Sequence, residues 1–224
     1  MITETASITA SDGHSLDCVV VSPQSTPKGA VVVVQEIFGV TDQLVNIAHA
    51  YAKLGYIVAV PALFDRSEKG LVIPFDQGAK GRELMLSSKL ENNMADIDAA
   101  VSHVRQTAEK VAVMGFCWGG GLALRAAQKL DINGAIVFYG TRITQYLDGP
   151  LRSPVLAHFG DSDTHVPAAD LQVIQDYFPD LKSHVYQAGH AFANDARTDY
   201  VETAAELAHQ RNKQFLDELF NLSA

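Results

Sequence analysis

Cysteine is nearly absent: the 224 residues hold two, Cys18 and Cys117. That is too few for a disulfide framework, so the fold must rest on an apolar core, and a reducing cytoplasm is the expected location. Long apolar runs are missing as well. The most apolar stretch is Gly29 to Val34, far short of a membrane span, so no membrane partner is expected. Basic residues are outnumbered, with Lys plus Arg at 17 against Asp plus Glu at 26 and a net charge of −9. Such a surface repels phosphate backbones, and the scattered Lys and Arg form no basic patch, which argues against nucleic acid. The N-terminal Met1-Ile2-Thr3-Glu4-Thr5 lacks the basic-then-apolar pattern of a signal peptide. No repeat, low-complexity tract or Pro/Ser-rich linker breaks the chain, so one domain over 1–224 is expected. The histidines are dispersed and Cys18 has no close partner, so neither a metal site nor an organic cofactor is expected.

What the chain does have is alternation of short apolar runs with helical periodicity. Ser15–Val21 reads as an edge strand, and Ala30–Val34 as a strand buried on both faces. Leu44–Leu54 reads as a helix closed by Gly55, and Tyr56–Val60 as a strand stopped by Pro61. A polar loop from Asp65 to Gly81 leads into a long helical stretch, Arg82 to Glu109, with a break expected near Asn92-Asn93. Further strands are expected at Val111–Met114, Ala135–Tyr139, Val155–Phe159 and His184–Tyr186. The matching helices are Leu122–Leu130, Ala168–Tyr177 and Val201–Phe220. This order predicts an α/β fold, a mostly parallel sheet with helices on both faces and no large lid domain.

The most informative segment is Gly115-Phe116-Cys117-Trp118-Gly119-Gly120-Gly121, between a buried strand and a helix. A strand–turn–helix with a nucleophile flanked two residues away by glycine is the nucleophile-elbow pattern. The turn is so tight that side chains there would clash, and the nucleophile ends at a helix N-terminus that favours a thiolate and a developing oxyanion. The bland alternative is a buried structural Cys beside a Gly-rich turn. A phosphate loop would need a lysine and a hydroxyl residue after the glycines, and the dinucleotide fingerprint G-x-G-x-x-G is absent.

In this fold the acid and then the base follow the nucleophile, each on a loop leaving a strand. The loop after Val155–Phe159 offers two carboxylates, Asp161 and Asp163, and the residues alone leave both open. The loop after the last strand carries Gly189-His190, which makes His190 the candidate base. His158 and His184 lie inside strands, and His165 follows the wrong strand for the base. His14, His49, His103 and His209 fall on segments remote from the elbow.

Five segments, taken in order, resemble the dienelactone hydrolase family: 35–40 (QEIFGV), 61–66 (PALFDR), 115–120 (GFCWGG), 160–167 and 189–192 (GHAF). The resemblance implies a compact α/β-hydrolase core that cleaves small esters or lactones with a triad of Cys117, His190 and Asp163. In the family the acid stands shortly before a Val-Pro pair, and here Asp163 comes three residues before Val166-Pro167. Glu36, by the same likeness, lies beside the thiol and helps deprotonate it when substrate binds. The backbone N–H groups of Ile37 and Trp118 would form the oxyanion hole. Dienelactone-cleaving members hold the substrate carboxylate with two arginines and a tyrosine. Arg82 matches the first arginine, but Leu86 and Asn194 stand at the other two positions. Arg142, just after a strand, is the candidate replacement. The expected partner is a small ester or lactone, and the expected state a monomer with at most weak self-association. A thioesterase, a general esterase, or a binding protein that lost catalysis are the competing readings.

Overall fold

The continuous run Ala30–Val34 forms β3, buried at every position, as a strand inside a parallel sheet requires. The structure, a computed structural model, describes residues 1–221. The chain divides into two compact units, Met1–Val113 and Met114–Ala224.

The first unit runs β1 (Ile2–Thr9), β2 (Ser15–Ser22), β3, α1 (Asp42–Lys53), β4 (Ile57–Pro61), α2 (Gly78–Ser87) and α3 (Leu90–Arg105). β1 and β2 form an antiparallel hairpin in the register Ile2↔Ser22 to Thr9↔Ser15. β2 pairs antiparallel with β4, and β3 pairs parallel with β4. α1 starts where the Thr41 hydroxyl accepts a hydrogen bond from the Leu44 N–H, and the chain leaves it through Gly55 at φ 98°.

β5 (Val111–Phe116) runs across the division. The second unit continues with α4 (Trp118–Lys129), β6 (Gly134–Phe138), β7 (Val155–Gly160), α5 (Ala168–Tyr177), β8 (Lys182–Tyr186) and α6 (Glu202–Leu219). β6, β7 and β8 are parallel neighbours, with Phe138 beside His158 and Gly160 beside Tyr186. The strand order is β1-β2-β4-β3-β5-β6-β7-β8 in an eight-stranded sheet. With six helices among the described residues this is the mostly parallel α/β-hydrolase architecture. No helix among them is long and apolar enough to cross a membrane.

Four details differ from the sequence reading. Residues 2–9 form a strand that periodicity does not reveal, because every residue but Ile8 is exposed or half-exposed and pairing with β2 holds it. β2 therefore has neighbours on both sides and is not an edge. The stretch from Arg82 to Glu109 is two helices, and the break falls at Ser88-Lys89 rather than Asn92-Asn93. Ser88 turns extended (φ −74°, ψ 145°), its Oγ donates to the Met85 carbonyl at 2.8 Å, and the Asn93 amide reaches back to it at 3.0 Å from inside α3. Finally, α4 begins at Trp118, not Leu122, so the glycines after the elbow are helical.

Candidate active site

β5 delivers its chain directly into the elbow. Cys117 sits between the strand and α4 at φ 53° and ψ −117°, a conformation that costs a residue with a side chain about 1–3 kcal/mol. Its surroundings impose it. The Cys117 N–H donates to the Phe138 carbonyl at 3.0 Å, and its own carbonyl accepts from Thr141 N–H and Gly120 N–H, both at 3.0 Å. The glycines are needed because backbone is in the way. A Cβ on Gly115 would lie 1.9 Å from the Gly119 oxygen, and one on Gly121 would lie 2.1 Å from the Thr141 oxygen. The thiol of Cys117 thus stands partly exposed at a helix N-terminus. Cys18, by contrast, is sealed in β2, where burial pushes its thiol up to about 12 and only a backbone hydrogen bond at Val60 opposes it. The fold separates a presented thiol from an inert one.

The candidate acid and base sit on the loops leaving β7 and β8. His190 Nδ1 is 2.8 Å from Asp163 Oδ2. The other carboxylate oxygen, Oδ1, accepts the N–H of His165 at 2.7 Å and of Val166 at 3.1 Å. Burial works against a charged Asp163, but the His190 bond and these two N–H groups outweigh it and hold the carboxyl below its ordinary range. Burial likewise works against a charged His190. The bond to Asp163 and the neighbouring Cys117 sulfur, as an ionised partner, overcome it and raise the imidazole to about 10. Nε2 makes no hydrogen bond of ordinary length, so Cys117 acts on it as a close neighbour rather than a tight partner; such contacts often tighten only with substrate bound.

Asp161 has a different place. It is exposed, and its Oδ1 accepts the Ala188 N–H at 3.2 Å. With the Ser162 hydroxyl bonded to the Ala188 carbonyl at 2.9 Å, it braces the two loops against each other. Gly160 is required in that brace, since a Cβ there would meet the Ala188 oxygen at 2.2 Å.

The remaining predicted residues divide. Trp118 is the first residue of α4, where helix N–H groups lack helical partners. Glu36 and Ile37 follow β3 after the single residue Gln35, and Glu36 is only 5% exposed. Within the same unit, α2 packs on this turn so closely that a Cβ on Gly81 would reach 2.1 Å from the Ile37 oxygen. Arg82 and Leu86 lie one helical turn apart on α2, both exposed. Asn194 is buried, and its Oδ1 accepts the Ala196 N–H at 3.1 Å, which makes it part of a turn. Arg142 is left-handed (φ 63°), directly follows the Thr141 that bonds the elbow, and hydrogen-bonds the Tyr146 side chain.

Two neighbours of His190 went unread in the sequence. Tyr139 directly follows β6 at φ 37°, with its ring edge-on to the imidazole at 5.1 Å. The His165 ring lies 4.4 Å from that of His190. A tyrosine just past a strand and followed by glycine is a weak signal for the first, and the second stands two residues after Asp163 in the same loop, set aside in the sequence as a base. Among the described residues, no group of three or more His, Cys, Asp or Glu could hold a metal ion. A cavity of about 350 Å³ between residues 150–155 and 177–181 opens at the opposite, N-terminal ends of β7 and β8 and contains none of the candidate site residues.

The fold is that of a known class. A Klebsiella pneumoniae protein assigned provisionally to the dienelactone hydrolases superimposes over 100% of both chains with a TM-score of 0.83, at 23% identity. That likeness gives the α/β-hydrolase fold. The family model for the dienelactone hydrolase family matches residues 16–220. The carboxymethylenebutenolidase of Pseudomonas putida is 34% identical over 228 residues, covering 96% of this chain and 97% of its own. That of Pseudomonas sp. strain P51 is 30% identical, covering 96% and 95%. The chain belongs to the dienelactone hydrolase family, and it is an ester or lactone hydrolase.

Proposed function

We propose that the protein hydrolyses small, mostly neutral carboxylic esters or lactones through an acyl-enzyme on Cys117, with His190 as proton carrier and Asp163 as its orienting acid. The observation that supports this best is the pairing of His190 and Asp163 at 2.8 Å on the loops next to a thiol held in the strained elbow. In this reading the Cys117 proton passes to His190, whose raised proton affinity favours the thiolate–imidazolium pair; the thiolate attacks the carbonyl, and the oxyanion rests on the N–H groups of Trp118 and Ile37. His190 passes the proton to the leaving alkoxide, and the C–O bond breaks. Water then attacks the thioester, giving its proton to His190. The acid leaves and the thiol is restored. A thioesterase would use the same steps; a binding protein would perform none.

Substrate preference follows from the residues available to a distal carboxylate. Arg82 can supply a charge. Leu86 cannot donate at all, and Asn194 is neutral and already engaged in its turn. Arg142 is the remaining candidate. A paired charge contact in a desolvated site is worth about 2–5 kcal/mol, so losing one shifts specificity by orders of magnitude. An activated neutral ester should give a rapid burst of alcohol equal to the enzyme concentration. Its kcat/KM should exceed that of dienelactone. The lack of any burst or turnover on esters, lactones and thioesters would leave only a binding role.

Glu36 is given a part by the family likeness, and its burial just after β3 supports it, since a buried carboxylate is costly without a use. If it assists thiolate formation, Glu36→Gln should slow both acylation and alkylation of Cys117 about tenfold or more while the protein stays folded. Unchanged alkylation and acylation rates in the folded variant would remove Glu36 from the mechanism.

A further inference from the structure

Ester cleavage makes no use of a buried polar chain that lies beneath the loops of Asp163 and His190. Its centre is His158 of β7, which is wholly buried. His158 Nδ1 is 2.8 Å from the Tyr186 hydroxyl at the end of β8, and Nε2 is 2.7 Å from Asn212 Oδ1 on α6. Arg211, also on α6, donates to the same Tyr186 oxygen at 2.9 Å.

Donor and acceptor chemistry gives this chain a direction. The Asn212 oxygen can only accept, so a neutral His158 carries its proton on Nε2; arginine can only donate, so the tyrosine oxygen accepts from Arg211 and its own hydrogen is left for Nδ1. Nδ1 is therefore the acceptor, and the His158 proton sits on Nε2, where the Asn212 oxygen takes it. The titratable groups acting on His158 are His184 of β8 and His209 and Arg211 of α6, all cationic when charged. Burial acts most strongly and holds its imidazole down to about 3. His158 is thus a neutral hub, and a second proton would reverse its bond to Tyr186 and leave the tyrosine hydrogen without its acceptor.

Its location ties it to the site. On β7, His158 comes five residues before Asp163, and on β8, Tyr186 comes four before His190. The His158 carbonyl accepts the N–H of Tyr139 at 2.7 Å, the residue whose ring lies edge-on to His190. The Tyr186 carbonyl accepts the N–H of Asp161 at 2.9 Å, and its ring packs 5.1 Å from Phe192 in the His190 loop. A buried polar network is more costly than an apolar core unless it is fully satisfied, and when satisfied it imposes one geometry.

We propose that Arg211, Tyr186, His158 and Asn212 form a positioning network that fixes the strand ends bearing Asp163 and His190, and so sets the distance between acid and base. Its catalytic consequence rests on the reading of Cys117, His190 and Asp163 as a triad; its geometric consequence does not.

The test is Tyr186→Phe, which removes one hydroxyl and keeps the ring. Titration of the His190 ring by NMR should show its pKa lowered by about one unit, a tenfold loss of proton affinity, because the Asp163 bond loosens. With an ester substrate, kcat should fall about tenfold with KM within about twofold, a change confined to the transition state. Adding His158→Phe should produce little further shift, since both act through one network. A purely structural role would lower the unfolding temperature and leave the titration of His190 as in the parent. That outcome in folded Tyr186→Phe overturns the proposal. Should Tyr186→Phe not fold, Arg211→Met removes the donor at the partly exposed end and is read the same way. The titration needs no turnover, so the network can fail while the triad holds, and the reverse.

Discussion

Cys117→Ala is expected to abolish ester hydrolysis, with a loss on the order of 10⁶ in kcat when a covalent nucleophile is removed from an intact site. Cys117→Gly should be equally inactive yet more stable than the parent. The reason lies in the elbow backbone. At φ 53° the side chain is strained by about 1–3 kcal/mol, and glycine removes that strain. Glycine also frees the unfolded chain, which costs about 0.5–1 kcal/mol in return. A net gain of about 1 kcal/mol remains, a rise in melting temperature of about 2–4 °C for a chain of this size. Activity with an activated ester and thermal unfolding of both variants check the two halves separately. Full activity in Cys117→Ala removes the thiol from the chemistry. A lower melting temperature in Cys117→Gly means that the elbow stores no strain. Cys18 makes a control: it is sealed in β2 with its thiol pushed up to about 12, so alkylation should mark Cys117 alone.

The parts of this molecule that could be read from the chain are those where local sequence and global fold obey the same constraint. β3, β4 and β5 are buried on both faces, so their sequences are continuous apolar runs. The elbow glycines could be read because backbone oxygens stand where a Cβ would be, a restriction that only one residue type meets. β1 could not, since its residues face solvent and only the register with β2 makes it a strand. The break at Ser88 was misplaced because two asparagines are stronger sequence signals than two serines. Ser88 terminates α2 through its own hydroxyl, and Asn93 serves that turn from within the next helix. The contacts of Tyr139, His165 and the His158 network were not legible for another reason. They meet their partners across parallel strands and from α6, at sequence separations that periodicity cannot sense. The family's spacing favoured Asp163 over Asp161 in the sequence; in the structure Asp163 is the one within hydrogen-bond distance of His190, at 2.8 Å.

Asp163→Asn should reduce kcat by about 10⁴ while leaving the fold intact, and the geometry says why. Oδ1 of Asp163 already accepts two backbone N–H groups, from His165 and Val166. An asparagine must put its oxygen there, because its NH₂ cannot accept, so the NH₂ turns toward His190 Nδ1. Nδ1 then has to accept, the imidazole proton moves to Nε2, and the atom beside Cys117 can no longer take the thiol proton. Asp161→Asn keeps an oxygen for the Ala188 N–H and should cost less than about tenfold, as expected for an exposed brace. The pH dependence of stability carries the same signature. His190 is raised from 6.5 to about 10, so its share of stability is complete below pH 6.5 and disappears as pH climbs through about 10. Asp163 is lowered from 3.8, so its share is complete above that pH and is lost as pH falls through the depressed value. The stability difference between parent and Asp163→Asn should therefore be greatest between about pH 4 and 6.5 and shrink toward pH 10. Denaturant unfolding at pH 5, 8 and 10, together with kcat for both variants, checks it. A difference that does not change with pH uncouples the two ionisations, and a larger kinetic loss in Asp161→Asn than in Asp163→Asn makes Asp161 the acid.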